Sequence, residues 1–238
     1  IQRQAGKYMF LHRTEGKYKY VIDSAKVSAD GSFNFGKKKR EKGYYKLSLS
    51  NDNNIIELIL NDKEPLVHIQ FSQVRLERGV KIITSDENKA YWEFKKKDEV
   101  VQKTIKSLKK QRGQFRSQSN DAKVNEMSNE INKQEKELFN FIQVVINKYP
   151  KSFFSKAKVA IKAKNAEDKK AYFDDLDFEI ENFIRSDVYS SRFQDYIIKH
   201  SGHTEIGYYN AVDDIMKKSK ANEKVFEFAL YNLLDGFY

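Results

Sequence analysis

Side chains that could carry acid–base or metal chemistry are sparse in this sequence. Its 238 residues contain four His and no Cys. The absence of Cys excludes disulfide bonds, thiolate metal sites and cysteine nucleophiles within the chain. His200 and His203 are the one close His pair, and two His at i and i+3 can share a metal ion. Gly202 separates them at a predicted helix end and no third ligand is indicated, so we expect a structural role for the pair.

Two clusters of charge are the other candidates for chemistry. Residues 37–40 read Lys-Lys-Lys-Arg between two predicted strands, which favours a solvated loop over an anion-binding or membrane-surface site. An acidic cluster could hold a cation, but it lacks the Gly and the spacing of an EF-hand, so complementing a helix N-terminus or the basic part of the chain is favoured. Its members are Asp174, Asp175, Asp177, Glu179 and Glu181. No phosphate-binding, dinucleotide-binding, zinc-protease or serine-hydrolase motif is present, and we assign no catalytic, cofactor-binding or metal-binding residue.

The charge of the chain is uneven along its length. The net charge of +10 divides into +7 for residues 1–84, +9 for 85–164 and −6 for 165–238. This asymmetry has two interpretations: complementarity within the molecule, or binding to nucleic acid or another anionic surface. The first is favoured because the basic residues alternate with predicted core positions. The 17 Phe and 14 Tyr supply aromatic mass for a genuine core, and no apolar run approaches the ~18 residues of a membrane span.

The first third of the chain has the pattern of a β-domain. Short runs rich in Tyr, Val, Ile and Phe alternate with turn residues, and Asp30-Gly31 is the strongest hairpin signal. Phe33 and Phe35 follow that turn at period two, so we expect both rings on one buried face. Strands are predicted at residues 7–12, 17–27, 32–36, 44–50, 54–60, 66–71 and 80–84. Seven short strands favour an antiparallel β-sandwich or open barrel.

The hydrophobic period then changes from two to 3.6 residues. Two helical patterns, at residues 87–115 and 124–145, are joined by a short polar turn and stopped by Tyr149-Pro150. They predict a long αα-hairpin over residues 87–149, with a dimeric coiled coil as the alternative. Further helices are predicted at residues 152–162, 178–185, 188–199, 205–218 and 223–238, with Asp187, Thr204 and Asn222 as N-caps. The predicted class is α+β: a β-domain at 1–84, then a helical region at 85–238 that holds the hairpin and a bundle at 152–238.

Several short motifs resemble one family. Residues 22–27 (IDSAKV), 30–35 (DGSFNF) and 43–45 (GYY) look like the N-terminal β-domain of bacterial envelope thioredoxin-like proteins of the AhpC/TSA or TlpA/ResA type. Residues 172–178 (YFDDLDF) and 211–216 (AVDDIM) are similar to the helical region that precedes the thioredoxin domain there. The resemblance runs through nearly the whole chain in matching order, although each motif alone is weak.

The resemblance implies a non-catalytic N-terminal module of an envelope thiol-disulfide oxidoreductase. The family places a thioredoxin domain with a Cys-x-x-Cys pair after the helical region, so that domain of the same parent chain is the implied partner. A substrate protein or a second copy of the chain are further implied partners. The start at Ile1 is expected to follow trimming, and the family implies a periplasmic location and a lipid anchor upstream of Ile1.

This chain has no Cys, so no enzyme activity, catalytic residue or cofactor is expected of it. The alternative is a free-standing envelope binding protein without a redox domain. A basic nucleic-acid-binding protein is less favoured, and no nucleic-acid partner is assigned.

Overall fold

The computed structural model describes residues 1–238 apart from 2–3, 17, 51–53, 73–74 and 238, and of Phe237 it describes the backbone only. The predicted strand start at residue 17 and helix end at residue 238 lie outside the described residues. The fold is α+β, as predicted, with the antiparallel sheets first and the helices after them. The chain forms two compact units, one made of Ile1–Ser85 with Lys156–Tyr238 and the other of Asp86–Ser155. The predicted helical region is therefore split between both units.

A four-stranded antiparallel sheet is the centre of the first unit. Its strands are β1 (Tyr8–Glu15), β2 (Tyr18–Lys26), β3 (Gly43–Leu49) and β4 (Ile55–Leu60), in the order β2-β1-β3-β4. Side chains at alternate positions fill the core, because successive residues of a strand point to opposite faces. The buried members include Met9, Leu11, Tyr45, Leu47, Leu49, Ile56 and Leu58. Between Leu11 and His12 the pairing of β1 with β2 shifts its register, as a β-bulge does.

The remaining strands correct the predicted seven. β5 (Ile69–Phe71) and β6 (Val80–Ile82) form a second, two-stranded sheet, with the short helix α1 (Leu76–Gly79) between them in sequence. Residues 32–36 form no strand, and Phe33 and Phe35 are half-buried where full burial was expected. Their rings pack edge to face 5.9 Å apart, and Phe33 stacks on Phe71. Where a β-sandwich or open barrel of seven strands was expected, the described residues form one four-stranded sheet and one separate two-stranded sheet.

The C-terminal part of the first unit is helical around an aromatic core. After α4 (Phe153–Ala160) come a 3-10 helix (Glu181–Arg185), α5 (Val188–His200), α6 (Glu205–Ser219) and α7 (Glu223–Phe237). The 3-10 helix replaces most of the α-helix that was predicted at 178–185. Buried rings form the core: Tyr172, Phe173, Phe178, Tyr189, Phe193 and Tyr196.

Two of the three predicted N-caps accept hydrogen bonds. The side chain of Thr204 accepts from the backbone N–H of Gly207, and that of Asn222 accepts from Lys224 and Val225. Asp187 also occupies the predicted N-cap position, of α5, but its side chain makes no capping hydrogen bond.

The sheet and the C-terminal helices of the first unit pack closely at one strand end. A Cβ at Gly43, the first residue of β3, would lie 2.4 Å from the Cβ of Arg185 in the 3-10 helix. Arg185 donates from its guanidinium to the carboxylate of Glu41. At the turn after β1, a Cβ on Gly16 would lie 3.3 Å from the ring of Phe228 in α7. The β1–β2 hairpin and α7 therefore bound a common space.

The second unit is the predicted αα-hairpin. α2 (Asp86–Ser117) and α3 (Asp121–Lys148) are joined by a short turn, and Asn120 caps α3 by accepting from the backbone N–H of Lys123. Its core cluster consists of Val101, Ile105 and Ile131 with Leu108 and Leu138 packed against it. Within the described part of the chain, no helix is long and apolar enough to cross a membrane.

Candidate functional site

A large cavity opens in the first unit between the β1–β2 hairpin and the C-terminal helices. Its volume is about 1060 Å³, and the 3-10 helix, α5 and α7 form its other walls. The volume is at the upper limit of small-molecule sites, which measure about 300–1,000 Å³. We call this cavity the tyrosine groove, after the rim residues Tyr18, Tyr20 and Tyr231.

The tyrosine groove has an apolar floor and an aromatic rim. Ile184, Phe193 and Leu233 line it and are buried among the C-terminal helices. Tyr20 and Tyr231 also line it but remain 48% and 63% exposed. Exposed aromatic rings above an apolar floor are typical of recognition surfaces, because such rings offer a large contact area and a polar hydroxyl.

The rim strand β2 has a free edge in the described part of the chain. β2 pairs with β1 on one side and stands last in its sheet. Tyr18 and Tyr20 lie two residues apart on β2, so both side chains point to one face, and their rings stack 6.5 Å apart. An extended polypeptide can add to such an edge through main-chain hydrogen bonds.

The cationic side chains of the groove are paired with carboxylates. Arg13 contacts Glu15 at 3.1 Å, and Lys224 contacts Glu181 at 3.1 Å. Arg185 also contacts Glu181 at 3.2 Å. Burial raises the pKa of Glu181, but hydrogen bonds from Lys224 and Arg185 outweigh burial, so its pKa lies below the ordinary value. These cations therefore have little charge left to offer a ligand.

One wall of the groove carries carboxylates instead. Glu227, Tyr231 and Asp235 line it from α7 at i, i+4 and i+8, which places them on one helix face. The hydroxyl of Tyr18 donates to Asp235 Oδ2 at 2.6 Å, and this hydrogen bond raises the pKa of Tyr18. Glu227 is exposed and forms no ion pair with any residue that the structure describes. This wall presents negative charge to whatever enters.

The His pair that the sequence singled out is separated by its hydrogen bonds. His200 Nε2 lies 3.1 Å from the carbonyl oxygen of Ala166, while His203 Nδ1 lies 3.2 Å from the hydroxyl of Tyr208. His203 lies just past the end of α5 at a positive φ of 55°. Across the described residues, no group of three or more His, Asp or Glu side chains could hold a metal ion.

The charged clusters form structural contacts. Asp175 accepts from the buried guanidinium of Arg192, and Glu181 contacts Arg185 and Lys224. In the basic loop 37–40, Lys38 and Arg40 both bind the carboxylate of Asp23. Asp175 and Glu181 thus hold the helical part together, and Asp23 holds the basic loop against β2.

A Ser–His pair lies across β1 and β3. His12 Nε2 lies 2.8 Å from Ser48 Oγ, and the Ser48 hydroxyl donates to the carbonyl oxygen of Ser50. Burial, and after it the nearby charges of Lys19 and Lys46, lower the pKa of His12 below its ordinary value. Both side chains are buried in the sheet, and neither lines the tyrosine groove. Ser48 Oγ therefore has a partner on each side, whereas His12 Nδ1 is buried without a hydrogen-bond partner among the described residues.

The tyrosine groove was not among the sites predicted from the sequence. Its walls come from segments about 170 residues apart, at Arg13 and Ile184, and pairing between such distant segments leaves no local pattern. Two local signals were nevertheless available: the period-two tyrosines of β2, and the spacing of Glu227, Tyr231 and Asp235. Comparisons with protein-family models, with curated proteins and with solved structures found no match to this chain.

Proposed function

We propose that this chain is a non-catalytic binding module that holds an extended segment of a partner protein in the tyrosine groove. The observation that carries this proposal is the groove itself, with its apolar floor, tyrosine rim and volume of about 1060 Å³. An extended peptide would run beside β2, use the strand edge for main-chain hydrogen bonds, and place alternate side chains on the floor. The free edge of β2 favours a polypeptide over a compact small molecule.

The charges of the groove favour a peptide that carries at least one Lys or Arg. Arg13, Arg185 and Lys224 are neutralised by neighbouring carboxylates. Glu227 has no ion-pair partner among the described residues, and it lies on the same helix face as Tyr231. A cation over the tyrosine ring and beside the carboxylate would gain from both contacts. The proposed occupant is therefore apolar at alternate positions and basic at one of them.

The wider role follows from the family resemblance of the sequence. We propose that the module belongs to an envelope thiol-disulfide oxidoreductase, where it positions a thioredoxin-like domain of the same parent chain or binds that enzyme's substrate protein in the periplasm. This part of the proposal rests on the motifs at residues 22–27, 30–35 and 172–178. A free-standing envelope binding protein with the same groove is the second candidate.

Selection from a displayed library of random peptides tests the groove. Peptides selected on the wild-type chain are expected to be rich in aromatic or aliphatic residues and to carry Lys or Arg. Tyr231→Ala should lower the affinity of the chain for a selected peptide by about tenfold or more. An aromatic side chain that contacts the centre of a bound peptide contributes about 1–2 kcal/mol or more. Glu227→Gln should lower the affinity only for peptides that contain a basic residue.

The matched controls lie outside the groove on neighbouring helices. Tyr209→Ala removes an equally exposed tyrosine from α6, and Glu223→Gln removes a carboxylate from the first turn of α7. Neither should change peptide affinity. A library that yields no groove-dependent peptide, or peptides that bind Tyr231→Ala as tightly as wild type, would overturn the binding proposal.

The redox context has a separate test. The coding sequence that follows the codon for Tyr238 should encode a domain with a Cys-x-x-Cys pair. A stop codon at that position would exclude the oxidoreductase module and leave the free-standing binding protein.

A further inference from the structure

A patch of exposed cations lies on the αα-hairpin, in the half of α2 that leads to the turn. Between Glu99 and Asp121 the sequence contains no acidic residue. Five exposed cations lie in this stretch of α2: Lys103, Lys106, Lys109, Lys110 and Arg116. At a rise of 1.5 Å per residue they extend over about 20 Å of helix. None forms an ion pair with any residue in the described part of the chain.

Three of these cations form a line that faces away from α3. At 3.6 residues per turn, Lys103, Lys106 and Lys110 lie within about 60° of one another around the helix axis. Val101 and Ile105, which pack in the hairpin core, lie on the opposite side of α2. The three lysines, here called the lysine stripe, are therefore out of reach of the carboxylates of α3.

The exposed face of α3, the other helix of the hairpin, carries charges of both signs and serves as a comparison. Exposed carboxylates and ammonium groups alternate along α3, and Lys133 lies 3.8 Å from Glu130. Near the start of α2, Lys95 is likewise 3.7 Å from Glu99. The lysine stripe has no such compensation, and like charges at i and i+4, such as Lys106 and Lys110, destabilise a helix. The fold alone therefore gives no reason for this arrangement.

We propose that the lysine stripe binds the anionic surface of a lipid bilayer. Each Lys or Arg near an anionic membrane surface contributes about 1 kcal/mol of attraction, which is roughly a fivefold gain in affinity per residue. The stripe consists of lysines, which are hydrated point charges suited to a diffuse surface, whereas bidentate phosphate recognition is typical of Arg. The one aromatic side chain near the tip, Phe115, is half-buried under Lys123, so no exposed ring near the tip can stack nucleic-acid bases.

The proposal predicts peripheral, salt-sensitive attachment. Between Lys103 and Lys110 no exposed large apolar side chain lies on the face of the stripe, so charge attraction is the main force expected there. Binding should therefore disappear at about 1 M NaCl, where the Debye length is about 3 Å. This surface is independent of the tyrosine groove, and either proposal can fail without the other.

Sedimentation of the full chain with lipid vesicles tests the stripe. Vesicles of phosphatidylcholine with phosphatidylglycerol should bind the wild-type chain at low salt, and vesicles of phosphatidylcholine alone should not. The triple variant K103Q/K106Q/K110Q should bind the anionic vesicles about a hundredfold more weakly, from roughly fivefold per lysine. Far-ultraviolet circular dichroism should show the same helix content for this variant as for wild type.

A variant with the same loss of charge on the same hairpin is the control. K123Q/K133Q/K136Q removes three lysines from α3, where carboxylates are interleaved, and should reduce binding far less. Equal loss in both variants would mean that only net charge matters and would overturn the assignment to the stripe. Absence of binding to anionic vesicles, or tighter binding to a DNA duplex under the same conditions, would overturn the lipid surface as the partner.

Discussion

Arg192 is the most demanding single residue of the first unit, because its charge is buried. The side chain has 0% exposure. Its guanidinium donates to the carbonyl oxygens of Ala160 and Tyr172 and to Asp175 Oδ1, and it lies 4.8 Å from the centre of the Tyr172 ring. Asp175 supplies the opposite charge, so the aromatic core around Arg192 depends on one carboxylate of the acidic cluster at residues 174–181.

Asp175→Asn should destabilise the chain by about 3–5 kcal/mol at pH 7, because it leaves a buried charge uncompensated. Burial raises the pKa of Asp175, but hydrogen bonds from Arg192 and the backbone N–H of Lys164 outweigh it, so the folded-state pKa lies below the ordinary value. The carboxylate therefore stabilises the fold fully above about pH 4, the unfolded pKa, and this contribution is lost as the pH falls through the lower folded pKa.

Urea unfolding of wild type and variant at several pH values measures this difference. The free energy of unfolding of wild type should exceed that of Asp175→Asn by less and less as the pH falls below about 4. Asp213→Asn, which breaks the exposed pair with Lys217, should change stability by less than about 1 kcal/mol. A gap that stays constant down to acid pH would contradict the assigned role of Asp175.

Gly43 makes a second prediction at the scale of one residue. Gly43→Ala should cost about 1–3 kcal/mol, because the new Cβ would lie 2.4 Å from the Cβ of Arg185 and the 3-10 helix must move away from β3. Gly6→Ala is the control: φ is positive at both glycines, 154° at Gly43 and 84° at Gly6, but no atom lies within 4 Å of a Cβ added at Gly6. Thermal unfolding should show the larger loss for Gly43→Ala, and equal losses would rule out the close contact as the cause.

At the scale of elements, the helices of the hairpin were the most predictable part of the molecule. Their apolar residues recur at three and four positions over about 30 residues, and such long patterns specify a helix and its buried face together. The segments at 32–36 and 178–185 were not predictable in the same way. Phe33 and Phe35 alternate as in a strand, yet their rings pack on each other and on Phe71 without strand pairing. Short patterns of this kind leave the outcome to tertiary contacts.

The candidate site was less predictable than the elements that form it. Strand β2 and helix α7 were both expected from the sequence, but which face of one meets which face of the other depends on contacts such as Tyr18 with Asp235, 217 residues apart. No periodicity encodes that pairing. The charge asymmetry of the chain also did not predict which segments meet at the site. Arg185, from the acidic last third, pairs with Glu41, from the basic first third.

The hairpin core gives a prediction for one element. Ile105→Ala should destabilise the second unit by about 2–5 kcal/mol, because Ile105 is buried in the cluster with Val101 and Ile131. Val100→Ala, on the exposed side of the same helix, should stay within about 0.5 kcal/mol of wild type. Trp92 is buried in this unit and is the one Trp of the chain, so its fluorescence during urea unfolding reports the change directly. Equal effects of the two substitutions would contradict the assigned register of the hairpin.

At the scale of the whole molecule, the two compact units can be followed by different optical probes. Trp92 belongs to the hairpin unit, whereas the aromatic core around Tyr172 and Tyr196 belongs to the first unit. Because each unit has its own core, Asp175→Asn should lower the urea midpoint of the tyrosine near-ultraviolet circular dichroism and leave the Trp92 midpoint in place. Coincident shifts of both probes would mean that the chain unfolds as one cooperative body.

The absence of Cys predicts the outcome of a redox assay on this chain. Insulin reduction with dithiothreitol should proceed at the rate of the buffer blank, because thiol-disulfide exchange needs an attacking thiolate and this sequence supplies none. Turnover above the blank would contradict the proposal of a non-catalytic module.

The discontinuity of the first unit has a consequence for the chain as it leaves the ribosome. Its sheet is synthesised within Ile1–Ser85, but the helices that cover it come from Lys156–Tyr238. At a synthesis rate of about 5–20 residues per second, roughly 8–30 s pass between synthesis of the sheet and synthesis of the helices that cover it. The hairpin, in contrast, can form from local contacts as soon as it emerges. During that interval the nascent chain exposes β2 and an incomplete apolar face. The folding yield of this protein should therefore depend more on chaperone binding during synthesis than that of a protein whose units are continuous in sequence.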